Sequence, residues 1–387
     1  MHHNIKLLGA KTGQGHISAL KAIEEIFIEY GYDVVSYPSF YEDASISNEV
    51  LSDFNNMLSM KSIDLSIQLN ELFALEGPQI NDRKYQSYLK HFYSVLTDHN
   101  QIILSFTPLI NKYVLKFLKE NAIFSRYYII ITDPYKPMYP GFEAKGADAY
   151  LCPSSLSQQQ LIKSGINEND TYLTGFPLRK SFLDTNIDKS KIYEIYKLPD
   201  NKKIVLVSCG AYGSPSYISL TKELLIKTNE QYHYVIVCGN NKTIRAILDN
   251  FIHSNCLSNC TVLEYVQNMH ELLSVSTYCI TKAGANMIHE CIACRVLPLI
   301  VGFWGLQYQE RGVFDYLKKY YDLHFQFNDV NELINYLSLS PDESFIAEKQ
   351  KKLDKARLDG AEKIVKKVLN DIQEDAYANK RNQCIKL

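Results

Sequence analysis

A glycine-containing segment near the start of the chain is the first place where chemistry could occur. Gly13-Gln14-Gly15-His16 follows the apolar run 5–10 and opens an amphipathic stretch. Glycines let a backbone approach a ligand, and the N-terminus of the following helix offers unpaired N–H groups and a partial positive charge. Taken alone, the motif favours a tight turn between strand and helix over a ligand site. It lacks the third glycine and downstream acid of a dinucleotide site, which disfavours NAD.

A second segment has the same layout and carries a carboxylate. Thr281-Lys282-Ala283-Gly284 ends an apolar run, and Ala285-Asn286-Met287 opens a helix. Phosphates suit such a helix N-terminus, where each charge–dipole contact contributes about 0.3–1 kcal/mol. Glu290 lies one turn further, and a carboxylate can accept hydrogen bonds from both hydroxyls of a ribose. The spacing also allows Glu290 to be an ordinary acid of a first helical turn.

Asp133 is a third candidate, placed where an apolar strand-like run ends. It follows the run 127–131 and precedes Pro134. Its carboxylate could serve an acceptor site, or it could cap the turn at Pro134, and the adjacent proline favours the cap.

Cysteine spacing raises the question of a metal site. Cys256 and Cys260 form one close pair, and Cys291 and Cys294 form another. The second pair falls in an amphipathic helix, with His289 the one other metal-type ligand nearby, so we expect these thiols to pack in the core. No metal is predicted.

Alternating apolar runs and amphipathic stretches predict how these segments are positioned. Strand–loop–helix units repeat along the chain, which indicates an α/β fold with two doubly wound parallel sheets. The predicted divisions are a first domain over residues 1–180 with a helical insert at 42–98, a linker at 181–202, a second domain at 203–341, and a C-terminal helix and tail at 342–387.

Length and composition limit the class of protein. A chain of 387 residues with 46% hydrophobic residues can bury two cores. Its net charge of −2 gives no general attraction for nucleic acid, so we expect no nucleic-acid partner. No apolar run reaches the ~18 residues that span a bilayer. We therefore predict a cytoplasmic protein, monomer or homodimer.

Several separated motifs follow one another in order along the chain. They are Thr12-Gly13-Gln14-Gly15-His16, Ile131-Thr132-Asp133, Tyr150-Leu151-Cys152-Pro153-Ser154, Thr174-Gly175-Phe176-Pro177-Leu178-Arg179, Val237-Cys238-Gly239-Asn240-Asn241-Lys242 and Ile280-Thr281-Lys282-Ala283-Gly284 continuing through Glu290 to Gln309-Glu310. Together they resemble the family 28 glycosyltransferases, especially the monogalactosyldiacylglycerol synthases and processive diacylglycerol glucosyltransferases. The resemblance runs from residue 5 to about residue 320, and it is most specific between residues 280 and 310.

The resemblance implies a GT-B fold, in which two Rossmann-like domains face a cleft and a C-terminal helix crosses back to the first domain. It implies inverting transfer from a UDP-sugar donor, with no cofactor and no metal. His16 would be the general base or a key acceptor-side residue, with Asp133 the next candidate. The acceptor side would also include Gly13, Gln14, Gly15 and Thr107.

The resemblance also implies how the donor is held. Glu290 would hold the ribose, and the Gln309-Glu310 pair would read hydroxyls of the donor sugar. The diphosphate would lie against Arg179, Gly210, Gly213, Ser214, Gly284, Ala285, Asn286 and Met287, and the uracil against Tyr265, Val266 and Met269.

The acceptor is the open question. The insert at 42–98 carries nine acidic against four basic residues, which would be repelled by an anionic bilayer. We therefore favour a soluble small molecule or peptide over a lipid such as diacylglycerol, without excluding peripheral membrane contact. The alternatives are a membrane glycolipid synthase, a nucleotide-sugar epimerase, and a non-catalytic relative that binds nucleotide sugar.

Overall fold

The chain folds into two parallel α/β sheets in a computed structural model that describes residues 4–12, 15–77, 80–228, 231–339 and 341–385. The strands are β1 Ile5–Leu8, β2 Val34–Tyr37, β3 Ile102–Ser105, β4 Arg126–Ile130, β5 Ala149–Cys152, β6 Thr171–Leu173, β7 Lys203–Ser208, β8 Tyr232–Val237, β9 Cys260–Leu263, β10 Tyr278–Thr281 and β11 Leu297–Ile300. The helices are α1 Gly15–Glu29, α2 Phe40–Asp43, α3 Ile46–Lys61, α4 Ile63–Glu76, α5 Asp82–Val95, α6 Asn111–Glu120, α7 Ser155–Lys163, α8 Lys189–Tyr196, α9 Ser216–Lys227, α10 Lys242–Ser254, α11 Met269–Ser274, α12 Ala285–Ala293, α13 Val313–Tyr321, α14 Val330–Ser338, α15 Glu343–Leu353 and α16 Gly360–Ile385.

The first sheet has the strand order β2-β1-β3-β4-β5-β6, and every pair is parallel. Its central strands are apolar on both faces, as a sheet covered on both sides requires. One face packs on α1 and on α16, whose Ile364, Val365 and Val368 are fully buried against β1 and β3. The predicted return of the C-terminal helix to the first domain is therefore confirmed.

The second sheet has the order β11-β10-β7-β8-β9, again all parallel. In each sheet the strand order reverses beside the first strand of its domain, at β1 and at β7. Ligands of such sheets bind at the carboxyl ends of the strands next to this reversal. The two glycine loops that follow β1 and β7 lie at these points, so the fold predicts one site between the two domains.

Two predicted boundaries need correction. Residues 181–202, expected to be a linker, contain α8, and Phe182 and Leu198 are buried in the second domain's core. The C-terminal stretch is not one helix. Its first part, α15, packs on the second domain through Ile346 and Leu353, and α16 packs on the first.

The chain actually crosses between domains at residues 174–180 and 354–359, and the two crossings touch at a pair of glycines. Gly175 has φ +99°, and a Cβ on Gly360 would lie 2.4 Å from the Phe176 carbonyl oxygen. Both positions therefore need glycine, one for its backbone conformation and one for close backbone packing.

Candidate active site

A single cleft of about 1260 Å³ lies between the carboxyl ends of the two sheets. Typical small-molecule pockets measure roughly 300–1,000 Å³. The cleft is lined by both glycine loops, by the N-terminus of α12 and by the insert helices α3–α5. Its size and its two walls leave room for two substrates at once.

The N-terminus of α12 forms the floor of the second domain's half. Its N-cap is Gly284, which offers no side chain to bond the free N–H groups of the first turn. Glu290, one turn into the helix, is 7% exposed and faces Arg179, with its carboxylate oxygen 4.0 Å from the guanidinium nitrogen. Burial raises the pKa of Glu290 to about 7, although Arg179 opposes that shift. A buried carboxylate beside uncapped N–H groups fits a ribose next to a phosphate.

All residues predicted for the donor side line this cleft. They are Arg179, Gly210, Gly213, Ser214, Tyr265, Val266, Met269, Gly284, Ala285, Asn286, Met287, Glu290, Gln309 and Glu310. Sequence reasoning did not assign a role to Lys282, whose ammonium lies 3.8 Å from the Glu310 carboxylate at the cleft wall. Its position two residues before Gly284 was the available signal.

His16 opens α1 and lies on the first domain's side of the cleft. Its Nδ1 is 3.1 Å from the Thr132 hydroxyl, and a ring N–H donates to the Phe106 carbonyl. Burial lowers the pKa of this imidazole to about 4. His16 is therefore neutral at pH 7, and it is tied to the ends of two neighbouring strands.

Asp133 lies at the end of β4 and both closes a turn and faces the cleft. Its Oδ2 accepts the Tyr139 N–H at 2.8 Å, so the carboxylate holds the segment that follows Pro134. The side chain also lines the cleft, and Glu310 of the second domain lies close enough to affect its charge. Burial, and secondarily Glu310, raises the pKa of Asp133 to about 7. Such a carboxyl group can exchange a proton near neutral pH.

Glu42 anchors the first glycine loop, a role that sequence reasoning did not find. Its Oε1 accepts from the backbone N–H groups of Lys11 and Thr12, at 2.9 and 3.2 Å, and from the Ser52 hydroxyl at 2.8 Å. The buried carboxylate therefore fixes the loop against α3. The contacts with the loop join positions 30 and 31 residues apart in the sequence, so no local pattern could reveal them.

The four acceptor-side predictions have different outcomes. Gly15 lines the cleft, where its carbonyl accepts the Asn286 side-chain amide of the second domain at 3.0 Å. Thr107 needs correction because it is fully buried and its hydroxyl accepts the Leu109 N–H, so that Pro108 and Leu109 form the wall instead. Gly13 and Gln14 lie outside the described residues.

Two other classes of site have no counterpart in the part of the chain that the structure describes. Within residues 4–385, leaving aside the undescribed positions, no group of three or more His, Cys, Asp or Glu side chains is placed to hold a metal ion. The helices of the same ranges include none that combines the length and apolar character for crossing a bilayer.

Two facing Rossmann-like domains, with a cleft between them that could hold a nucleotide, define the GT-B class of enzyme. The sequence model described as monogalactosyldiacylglycerol (MGDG) synthase matches residues 16–178, and the glycosyltransferase family 28 C-terminal domain matches residues 204–309. Both matches agree with the resemblance to glycosyltransferase family 28, and the chain is a UDP-sugar-dependent glycosyltransferase.

Relatives agree with this assignment. A processive diacylglycerol β-glucosyltransferase of Bacillus licheniformis is 27% identical over 304 residues, covering 77% of this chain and 76% of the relative. The enzyme of the same name from Bacillus subtilis is 27% identical over 303 residues, with the same coverage.

Solved structures share the fold at low sequence identity. UDP-GlcNAc 2-epimerase from Neisseria meningitidis bound to UDP-GlcNAc superposes with a TM-score of 0.61 at 13% identity, covering 95% of this chain and 100% of that one. The Anabaena protein HepE in complex with UDP-glucose gives a TM-score of 0.56 at 11% identity, covering 96% and 100%. At these identities the likeness establishes the fold alone.

Proposed function

We propose that this enzyme transfers a hexose, with inversion, from a UDP-sugar to a hydroxyl group of a membrane lipid of the diacylglycerol type. The observation that carries the lipid acceptor is the outer face of the insert. Ile46, Val50 and Phe54 follow one face of α3, and Leu72 and Leu75 follow one face of α4. All five are exposed, Ile46 by 81% and Leu75 by 73%. Exposed apolar helix faces beside a substrate cleft are typical of membrane contact.

The inner face of the same helices is mostly polar, with four apolar residues of α3 and α4 among those that line the cleft. Ser52, Asn56 and Ser59 of α3 line the cleft together with Ser66 and Asn70 of α4. The insert thus has its polar face toward the substrates and its apolar face outward, the reverse of an ordinary surface helix. A lipid whose tails stay in the bilayer while its head enters the cleft fits this arrangement.

The soluble acceptor favoured from sequence charge receives no support from the relatives, which are named as acting on diacylglycerol. Several acids of the insert are also not free to repel a membrane. Glu42 is buried under the glycine loop, Asp98 pairs with Lys6 at 2.8 Å, and Asp82 pairs with Lys116 at 3.3 Å. Charge counted along the sequence therefore overstates the negative charge of the outer surface.

In the proposed reaction the second domain's half of the cleft binds the donor, and the first domain's half binds the acceptor. Glu290 accepts the ribose hydroxyls, and the free N–H groups of α12 together with Arg179 receive the diphosphate. Asp133 takes the proton of the acceptor hydroxyl as its oxygen attacks the anomeric carbon, and the bond to UDP breaks on the opposite face. A single displacement inverts the anomeric centre. The negative charge that develops on the UDP leaving group is stabilised by the N-terminus of α12 and by the Arg179 guanidinium.

Asp133 suits the base role better than His16 because its pKa of about 7 lies near the working pH. The imidazole, with a pKa of about 4, is a weaker base, and its Nδ1 already lies against Thr132. In this proposal His16 helps to position the acceptor in the first domain's half of the cleft, and it does not take the proton.

The pH dependence of turnover separates these two groups. Protonated Asp133 cannot accept a proton, so kcat at saturating donor should fall as pH drops below about 7. A base with the pKa of His16 would instead keep kcat constant down to a pH of about 4. Steady-state rates between pH 5 and 9 make the comparison, and a profile flat across pH 6–8 contradicts the assignment of Asp133.

Transfer to lipid is tested with UDP-glucose and vesicles containing dioleoylglycerol. We expect glucosyl-diacylglycerol as product, with both vesicle binding and transfer reduced at least tenfold by the double substitution Phe54→Asp and Leu75→Asp. Burying each such side chain contributes about 1.5–3 kcal/mol. The matched control is Ile195→Asp, since Ile195 is 56% exposed on α8 of the other domain.

UDP affinity should be unchanged in all of these variants because the nucleotide site lies in the second domain. Transfer to a water-soluble hydroxyl compound with none to dioleoylglycerol would restore the soluble-acceptor hypothesis. Conversion of UDP-glucose to an isomer without transfer would indicate an epimerase.

A further inference from the structure

Helix α4 of the insert touches a loop of the opposite domain, residues 302–311, which carries the predicted sugar-reading pair Gln309 and Glu310. The Asn70 side-chain oxygen accepts the Tyr308 N–H at 3.1 Å. One residue along α4, Glu71 pairs with Arg311 at 2.8 Å. Both bonds join the acceptor-side domain to the donor-side domain.

Packing brings the same two elements together at a third point. Gly305 has φ +97°, and a Cβ at this position would lie 2.9 Å from the Ile67 Cδ1. The loop therefore packs directly against α4, and a side chain at residue 305 would require Ile67 to shift. Ile67 and Asn70 lie three residues apart and so share one face of α4.

The loop depends on this contact with α4 because its own regular structure is limited to one short turn. Tyr308–Glu310 is a three-residue 3₁₀ turn, held inside the loop by the Gln307 N–H bond to Glu310 at 3.2 Å. A 3₁₀ turn has poorer hydrogen-bond geometry than an α-helix. The Tyr308 N–H at its start is bonded by Asn70, so the contact fixes where the turn begins.

The turn presents a polar group with no protein partner to the cleft. Gln309 donates to the Gln307 side chain at 3.1 Å, while its Oε1 is buried and accepts no hydrogen bond from any described residue. A buried acceptor without a partner is costly unless a ligand satisfies it. A hydroxyl group of the UDP-sugar would supply the missing hydrogen bond to this oxygen.

We propose that Asn70 is a positioning residue for the donor sugar: through the Tyr308 N–H it places Gln309 and Glu310, so the acceptor-side insert takes part in donor-sugar recognition. The inference rests on the proposed function in that the cleft must bind a UDP-hexose. It does not depend on which acceptor is used.

The test compares the affinities of UDP and UDP-glucose for the full chain by titration calorimetry. Asn70→Ala removes the hydrogen-bond acceptor, and UDP-glucose affinity should fall roughly fivefold to tenfold, the usual effect of losing one such bond. UDP affinity should stay within about twofold because the ribose and diphosphate contacts lie elsewhere. Asn70→Asp keeps an acceptor oxygen at the same place and should restore most of the UDP-glucose affinity.

Gln68→Ala is the matched control, since Gln68 is an exposed amide two residues away on the same helix. It should bind both nucleotides like the wild type. An Asn70→Ala protein with an unchanged ratio of UDP-glucose to UDP affinity overturns the inference, as does one that loses both affinities equally. A wild-type protein that binds UDP but not UDP-glucose overturns this inference together with the proposed donor.

Discussion

Replacing Asp133 by Asn should lower kcat by about 10²–10⁴, the usual contribution of a positioned general base. The amide keeps the size of the side chain and an oxygen that can still accept the Tyr139 N–H, so the turn is preserved. It cannot take a proton from the acceptor hydroxyl. Turnover of UDP-glucose with dioleoylglycerol vesicles provides the measurement.

UDP affinity is the internal control for this variant. Asp133 belongs to the first domain, and the proposed nucleotide contacts belong to the second, so UDP should bind as in the wild type. The fall of kcat below about pH 7 should also disappear, because the titrating group has been removed. A variant that keeps most of its activity would return the base role to His16.

The sequence predicted the fold well where periodicity was strong. The alternation of apolar runs with amphipathic helices indicated both sheets, and three- and four-residue spacing indicated the helical insert. Residues 181–202 were misread because α8 has only Ile192 buried among charged neighbours, which resembles a polar linker. Whether these few side chains of α8 become buried depends on the surface that the helix packs against, and local composition does not contain that information.

The candidate site was predicted in its parts but not in its connections. Glu290 and Asp133 each follow a strand of a parallel sheet, so their meeting at one cleft follows from topology. The contacts of Glu42 with the glycine loop and of Asn70 with Tyr308 join residues remote in sequence, and only the folded chain brings them together. The charge count of the insert is incomplete for the same reason, since it does not show which acids are paired or buried.

The nucleotide site gives the second large effect, tested with Glu290→Gln. The amide loses the charge and one of the two acceptor oxygens that face the ribose diol, so UDP affinity should fall by about 1.5–3 kcal/mol, the range for hydrogen bonds to charged groups. Calorimetry at pH 8 measures the change. Glu223→Gln is the control, an acid that pairs with Lys227 within α9.

The same variant should be more stable than the wild type at pH 8 while binding UDP more weakly. Burial raises the pKa of Glu290 to about 7, above its ordinary value of 4.5, so the folded protein holds this proton more tightly than the unfolded chain. The ionised carboxylate therefore lowers the free energy of unfolding as pH rises from about 4.5 to 7, and that loss is complete above pH 7. A neutral amide removes the cost, so the melting temperature should rise at pH 8 and change less at pH 5. Weaker binding with higher stability would mark Glu290 as a group kept for its ligand. Unchanged UDP affinity in a folded Glu290→Gln protein would remove it from the nucleotide site.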